Sequence, residues 1–362
     1  MNKILLLAQF PPPIHGLSKA VDTLYHSYLG EKYGFQKIDI TNNKRIIHNI
    51  CSIIKAKCDC FYFTISQTKG GNWRDLLFLK LIAWKKKKCI IHLHGGYYRQ
   101  LFEKDCGRLQ RKLNIKALNR IDAAIVLGDS LKSIFEGWVE KNKIFVVPNC
   151  VDNLFMPSSI EGKTNGLQTQ DKIHLLYLSN FIASKGYREV LDIARYMKER
   201  GMQERYQIHF AGKFYQQEDE DFFFSYINKY SLKGIVEYHG IVSGDAKNEL
   251  LRLCNVFLLL TRYPNEGQPI SILEAMGNGM AVVTTDHAGI PDIANQSNGF
   301  VCAKNDIQVK DIVEYLEAKY HDRNALIATC MRNYNIVKER YTECQYLNNL
   351  DRVFQKVLSE NN

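Results

Sequence analysis

Two carboxylates eight residues apart, Glu266 and Glu274, lie in the stretch "NEGQPISILEAMGNG", separated by a glycine, a proline and the start of a helical run. An ionised carboxylate accepts several hydrogen bonds, so it suits the adjacent hydroxyls of a ribose or hexose. Glu274, inside the helical run, is read as the partner of a nucleoside's ribose, and Glu266, on the loop before it, as the partner of a second sugar. A third group complements them. In "LLYLSNFIASKGYREVLDIARYM" a strand ends near Ser179, a helix starts near Gly186, and Lys185 stands just before that helix. A cation beside a helix N-terminus is electrostatically unfavourable unless an anion is held there. The loop before Ile270 repeats the arrangement. Gly267 lets the backbone approach a ligand closely, Pro269 suits the first helical turn, and the amides around Ile270 and Ser271 have no helical acceptor. Two helix starts and one lysine make a cradle for a diphosphate.

These residues need strands that deliver them to one edge. The first half of the chain alternates buried apolar runs ("KILLLAQF", "DCFYFTI", "KCIIHLHG", "DAAIVLG", "KIFVVPN") with amphipathic stretches such as "LSKAVDTLYHSYLG" and "NWRDLLFLKLIAWKKKK". That alternation predicts an α/β doubly wound parallel sheet. Residues 153–171 are polar and rich in Ser, Gly, Thr, Asn and Gln, the composition of a linker or surface loop. Six further strand runs follow: "IHLLYLSN", "YQIHFAG", "GIVEYHG", "CNVFLLLT", "MAVVTT" and "GFVC". The expected organisation is a Rossmann-like domain over 1–160, a second over 161–340, and a terminal helix over 341–362 that packs back towards the first domain. That helix carries Tyr346, Leu347, Leu350, Val353, Phe354 and Val357 on one side. Ligands of such sheets lie beyond the carboxyl ends of the strands, where the motifs above fall.

Bulk properties narrow the setting. The 362 residues carry a net charge of +10, with 25 Lys and Arg against 11 Asp and Glu in residues 1–150 and a net −4 in the rest. The basic excess, densest in "WKKKK" and "RLQRKLNIK", predicts an anionic partner: a membrane surface, nucleic acid or an acidic substrate. No run is long and apolar enough for a membrane span, and "MNKILLLAQF" followed by "PPP" reads as a buried first strand instead of a secretion signal. The ten cysteines include no CxxC pair; they predict buried thiols in a reducing cytoplasm. Asp219-Glu220-Asp221 forms a D-x-D pattern that could hold a divalent cation, but it sits at an expected helix start, where acids are favoured anyway.

With these motifs in order, the chain resembles the retaining glycosyltransferases of family four, which have the GT-B fold of two Rossmann-like domains facing across a cleft. Glu266 and Glu274 match the family's EX7E pair, and "LEAMGNGMAVVTT" is similar to the stretch that follows it. "HAGIPDI" resembles its GG-x-P-E-I loop, "PNCVD" (Pro148 to Asp152) its P-N-G-V-D, and "ASKG" carries its phosphate lysine at Lys185. "PPPIHGLS" resembles the N-terminal Gly-Gly loop that touches the donor diphosphate. "HLHGG" resembles the strand end carrying a histidine near the reacting sugar, which implies a role for His94, with His92 as the competing assignment. The departures are specific. Asn180 replaces the family's arginine five residues before the lysine, His15 replaces the first glycine of the N-terminal pair and leaves Gly16, and His287 and Ala288 replace small residues before Gly289.

The resemblance implies sugar transfer from a nucleoside diphosphate, UDP among the candidates, to an acceptor hydroxyl with anomeric retention. Glu266, Lys185 and His94 would be catalytic, and Gly16, Asn180, Lys185, Gly267, Pro269, Ile270, Ser271 and Glu274 would bind donor. No metal or other cofactor is expected, because lysine and helix ends supply the positive field. The implied transfer is of a hexosyl or N-acetylhexosaminyl group to a lipid-linked or saccharide acceptor, in synthesis of capsule, lipopolysaccharide O-antigen or exopolysaccharide. The basic first domain is expected to rest on the anionic inner face of the plasma membrane, with no nucleic-acid partner. The rivals are a sugar-nucleotide epimerase of the same fold, a relative that only binds donor, and a basic nucleic-acid-binding protein.

Overall fold

A computed structural model describes residues 2–13 and 16–359. His15 therefore lies outside the described residues. Two compact units are present: one comprises 1–150, 265–268 and 343–362, the other 151–264 and 269–342. The first division falls at Cys150 and Val151, earlier than composition indicated. The polar stretch taken for a linker instead contains a helix, Glu161–Thr169, whose Thr164 and Leu167 are buried together with the preceding Ile160. Three inward positions suffice to hold a short helix, and its otherwise polar surface hid them.

The first unit is built on strands β1 (Ile4–Ala8), β2 (Gln36–Asp39), β3 (Cys60–Thr64), β4 (Lys88–His92), β5 (Ala123–Val126) and β6 (Ile144–Val146), all parallel, in the order β2-β1-β3-β4-β5-β6. β1, β3 and β5 are buried throughout, as expected of strands covered on both faces. β2 alone gave no apolar signal. It is an edge strand with only Ile38 buried, so its sequence stays polar. The terminal helix Glu343–Ser359 belongs to this unit. Tyr346, Leu347, Leu350, Val353, Phe354 and Val357 are all buried in a cluster with Ile4, Leu6, Tyr62 and Ile90, and Asp351 accepts hydrogen bonds from Lys32 and Tyr33.

The second unit carries β7 (Ile173–Leu178), β8 (Tyr206–Ala211), β9 (Val236–Tyr238), β10 (Val256–Leu259), β11 (Ala281–Thr285) and β12 (Gly299–Cys302), again all parallel, in the order β12-β11-β10-β7-β8-β9. Each sheet has a switch point where the strand order reverses, between β1 and β3 in the first unit and between β7 and β10 in the second. Ligands of open α/β sheets bind just beyond such points. The loops following β7 and β10 are the ones that carry Lys185 and the Glu266–Glu274 stretch.

Candidate functional site

The second unit's switch point is closed by backbone contacts between the two loops. The Arg262 amide donates to the Ser184 carbonyl at 2.7 Å, and Arg262 is ion-paired with Glu189. Gly186 occupies the left-handed region at φ 86°, and a Cβ there would lie 2.4 Å from the Leu260 carbonyl oxygen. Glycine is required on both counts, because side chains are strained at that φ and the neighbouring strand end leaves no volume. The turn Ala183–Lys185 ends at Gly186, and the helix Tyr187–Glu199 begins immediately after it. Lys185 is half-buried, with its Nζ 4.7 Å from the centre of the Tyr263 ring. The face of a tyrosine holds an ammonium weakly, by roughly 0.5–1 kcal/mol where water competes.

Across the same switch point the helix Ile270–Gly277 starts after Pro269, which is its N-cap residue (φ −64°, ψ 115°) and not part of its first turn. Ile270 and Ser271 occupy that first turn. Their amides have no acceptor within the helix, so two starts of this kind, one after each neighbouring strand, aim partial positive charge at the carboxyl edge of the sheet. Asn180, at the end of the loop leaving β7, is exposed; its carbonyl accepts from the Tyr177 hydroxyl at 3.0 Å and the Ile182 amide at 3.0 Å. A neutral amide at this position adds no charge to the cradle, whose formal cation is Lys185.

Glu274 is buried on the helix Ile270–Gly277, and its Oε1 receives Lys247 Nζ at 2.7 Å. Nothing at a fixed sequence spacing indicated Lys247, because it comes from the helix Gly244–Leu253 of a different connection. The acid is thus oriented by a cation. His287 lies half-buried with Nε2 2.7 Å from the Tyr263 carbonyl oxygen, and Ala288 adopts φ 53°, a left-handed conformation that glycine takes more readily.

Residues 265–268 group with the first unit, so the two glutamates divide between the units. Gln268 ties this loop into the first unit. Its side-chain oxygen accepts the Asn149 amide at 2.8 Å, its Nε2 donates to the Leu127 carbonyl at 2.9 Å, and its own carbonyl accepts Asn149 Nδ2 at 2.8 Å. Asn149 is the asparagine of the "PNCVD" stretch, so that motif works here as a clamp on the glutamate loop. Gly267 packs against backbone: a Cβ would lie 2.7 Å from the His94 carbonyl oxygen and 2.9 Å from Gly95 Cα. The sequence had assigned this closeness to a ligand; in the structure the neighbour is the His94–Gly95 segment. Glu266 is itself buried, 8% exposed.

His92 and His94 separate clearly. His92 ends β4, is fully buried, and has Nδ1 2.5 Å from the Tyr62 hydroxyl. Burial, with the neighbouring His94, lowers its pKa well below the usual imidazole value, so the ring is neutral. His94 is half-buried in the loop beyond the strand, its ring 3.9 Å from that of His92, centre to centre. Of the two, His94 is placed at the strand end and His92 is core. Gly16 opens the helix Gly16–Tyr25 after β1 and is exposed; Ser18 Oγ donates to the Pro13 carbonyl at 2.8 Å beneath it. Asp219, in the first turn of the helix Gln217–Lys229, accepts from the Tyr187 hydroxyl at 2.7 Å and from Arg188 at 3.2 Å, so the D-x-D carboxylate is engaged in packing.

Comparison with known proteins adds likenesses of sequence and of fold. Residues 161–334 match the family described as Glycosyl transferases group 1. Among curated proteins, the putative colanic acid biosynthesis glycosyltransferase WcaL of Escherichia coli K12 is 29% identical over 139 residues, and its Salmonella typhimurium counterpart is 28% identical over 141; the matches cover 37% and 38% of this chain. They span about a third of the length of those relatives, 33% and 34%. Among solved structures, Anabaena Alr3699/HepE in complex with UDP superposes with a TM-score of 0.76 at 14% identity, covering 98% of this chain and all of that one. The lipopolysaccharide glycosyltransferase WaaG superposes at 0.66 with 11% identity, covering 97% and 99%. A glycosyltransferase of Rickettsia africae gives 0.73 at 15% identity, with full coverage of both chains. Similarity at this identity shows a GT-B-like fold, and residues 161–334 carry the sequence likeness to the group 1 glycosyl transferases.

Proposed function

We propose that the protein is a retaining glycosyltransferase that moves a sugar from a nucleoside diphosphate to an acceptor hydroxyl during assembly of a cell-surface polysaccharide. The observation that carries this reading is the second unit's switch point, where Lys185 and the amides of Ile270 and Ser271 follow adjacent parallel strands. A diphosphate leaving group gathers negative charge as the glycosidic bond breaks, and preorganised amides and an ammonium stabilise that charge without reorganisation. Glu274, held by Lys247, would bind the ribose, and Glu266 with His94 would bind the transferred sugar. No side chain is assigned as a nucleophile: the acceptor attacks from the face the diphosphate leaves, and a phosphate oxygen takes its proton.

Uridine is the favoured base, because Alr3699/HepE was solved with UDP, UDP and glucose, and UDP-glucose. A polysaccharide pathway is favoured by the colanic acid and lipopolysaccharide enzymes among the relatives. Thermal shift across UDP-, GDP- and ADP-sugars tests the donor, since a bound ligand raises the melting temperature by mass action. Stabilisation by UDP-sugars, lost in Lys185→Ala, is expected; no response to any nucleotide sugar would reject the reading. Turnover of the bound donor without any acceptor, to an epimerised sugar nucleotide, would identify the epimerase instead.

The first unit supports an anionic bilayer as its surface partner. Trp73, Leu77 and Trp84 on the helix Lys69–Trp84 and Leu109 and Leu113 on the helix Arg108–Leu118 are exposed, at 44, 37, 68, 65 and 38%. A groove of about 390 Å³ lies between the two helices, with Lys80, Lys116 and Arg120 in its wall. Exposed tryptophan and leucine interleaved with lysine and arginine suit the boundary between headgroups and acyl chains. No helix of the described residues is long and apolar enough to cross a membrane. The reading is of docking in the plane of the bilayer, through these exposed rings and basic side chains.

A further inference from the structure

We propose that His209, Glu237 and His239 form a binding site for one zinc ion, a site separate from the sugar-transfer reading above. β7, β8 and β9 lie side by side at the edge of the second sheet, with Leu176 opposite His209 and His209 opposite Glu237. Paired residues of neighbouring parallel strands face the same side, and alternate residues return to it. His174, His209, Glu237 and His239 therefore share one face.

The side chains confirm the alignment. His174 Nδ1 lies 2.8 Å from His209 Nε2, and His209 Nδ1 lies 2.9 Å from His239 Nε2. The Glu237 carboxylate oxygens lie 3.5 Å from His209 Nδ1 and 3.9 Å from His239 Nε2. One ligand atom from each of His209, Glu237 and His239 falls within 4.8 Å of the others. Zinc bonded to nitrogen and oxygen at about 2.0–2.2 Å in a tetrahedron separates its ligand atoms by about 3.3 Å. The observed separations bracket that value, so small rotations of the three side chains suffice.

The surroundings fit the ion as well. When His209 binds metal through Nδ1, its Nε2–H points at His174 Nδ1, the outer hydrogen bond that fixes a ligating imidazole's tautomer. Glu237, exposed at the strand edge, supplies the negative charge and leaves the fourth position to water. Two nitrogens and one carboxylate favour zinc over magnesium or calcium, which require shells of oxygen. The bound ion would fasten β8 to β9 beside the contact in which the Gly212 amide donates to the Gly240 carbonyl at 2.8 Å.

The test uses tag-free protein with the exposed Cys51 and Cys344 changed to serine, because free thiolates would also bind zinc. After chelator treatment and dialysis, calorimetric titration with zinc chloride is expected to show one site per chain at micromolar affinity or tighter, with a raised melting temperature. Cobalt(II) at the same site is expected to give the intense visible bands of tetrahedral coordination. Because His209 is buried, the edge variants His239→Ala and Glu237→Gln carry the test. Each is expected to weaken zinc at least tenfold while melting near the metal-free parent. Absence of saturable zinc binding, binding unchanged in His239→Ala, or equal competition by magnesium would each overturn the proposal.

Discussion

Lys247 Nζ lies 2.7 Å from Glu274 Oε1, with the two side chains only 17% and 8% exposed, and the Phe155 ring centre lies 4.0 Å from the ammonium. The ion pair fixes the acid that the donor-site reading assigns to a ribose. Removing one partner of a buried pair leaves an uncompensated charge, which costs about 3 kcal/mol or more. Lys247→Met is expected to lower stability on that scale and to raise the donor KM more than it lowers kcat. The pair's coupling appears in the double variant Lys247→Met/Glu274→Leu, which should lose less stability than the two single changes added together. Denaturant unfolding and steady-state kinetics on the same preparations check both halves. Additive losses would mean the contact does not hold Glu274.

Lys185→Ala separates binding of charge from folding. The ammonium rests on the Tyr263 ring at 4.7 Å, a contact worth roughly 0.5–1 kcal/mol. Losing a preorganised donor to developing charge reduces turnover by about 10²–10³. Turnover near that of the wild type in a well-folded Lys185→Ala preparation would sink the diphosphate cradle. Asn180→Arg is the complementary gain: a guanidinium at the exposed end of the loop leaving β7 should tighten UDP measurably.

Gly186→Ala tests the packing that brings the two loops together. The substitution meets φ 86° and a carbonyl oxygen 2.4 Å from the new Cβ. The left-handed conformation alone costs roughly 1–2 kcal/mol, and the contact with Leu260 cannot relax without moving a strand end. A loss of about 2 kcal/mol or more is expected by urea unfolding, with donor binding reduced as Lys185 shifts. Gly201→Ala, also at positive φ but with open space around the Cβ, should cost only the conformational part.

Stability should fall on acidification because of His92. In the folded chain the ring is neutral, buried against Tyr62 and His94, whereas in the unfolded chain it takes up a proton below about pH 6.5. The unfolded state then binds the extra proton, so folding free energy declines by up to about 1.4 kcal/mol per pH unit below that point. Urea midpoints measured between pH 7.5 and 5 check the slope. His92→Phe should be less steep across the same interval, and an unchanged slope would assign the acid lability elsewhere.

Much of this architecture was legible because a parallel sheet covered on both faces demands apolar runs. Eleven of the strands announced themselves that way, and β2 did not because its single inward residue, Ile38, leaves no pattern. Lys185, Glu266 and Glu274 were legible as types at strand ends and helix starts. Their partners were not. Lys247 and Gln268 act through contacts made by separate connections, and no local spacing encodes a meeting of that kind. Gly267 was read as a place where a ligand comes close; the group packed against it in the structure is the His94–Gly95 backbone, something the sequence around it cannot specify. The three aligned histidines were invisible for the same reason, since register across β7, β8 and β9 is a property of the sheet.

The proposed docking on lipid should be separable from catalysis. Trp73 and Trp84 expose 44 and 68% of their surfaces at the ends of a helix whose Leu76, Phe78 and Ile82 are buried, so the two rings add little to the core. Changing both to serine should leave the melting temperature and soluble-acceptor turnover near those of the parent, while reducing sedimentation with phosphatidylglycerol vesicles several-fold. Replacing Lys85, Lys86 and Lys87 with glutamine should weaken the same binding by about 1 kcal/mol for each charge that lies near the surface. The two sets differ in their response to salt. The lysine contribution fades as screening shortens to a few ångströms near 1 M, whereas the tryptophan contribution persists. Retention of an RNA or DNA oligonucleotide in place of vesicles, abolished by the lysine changes and indifferent to the tryptophans, would instead assign the basic face to nucleic acid.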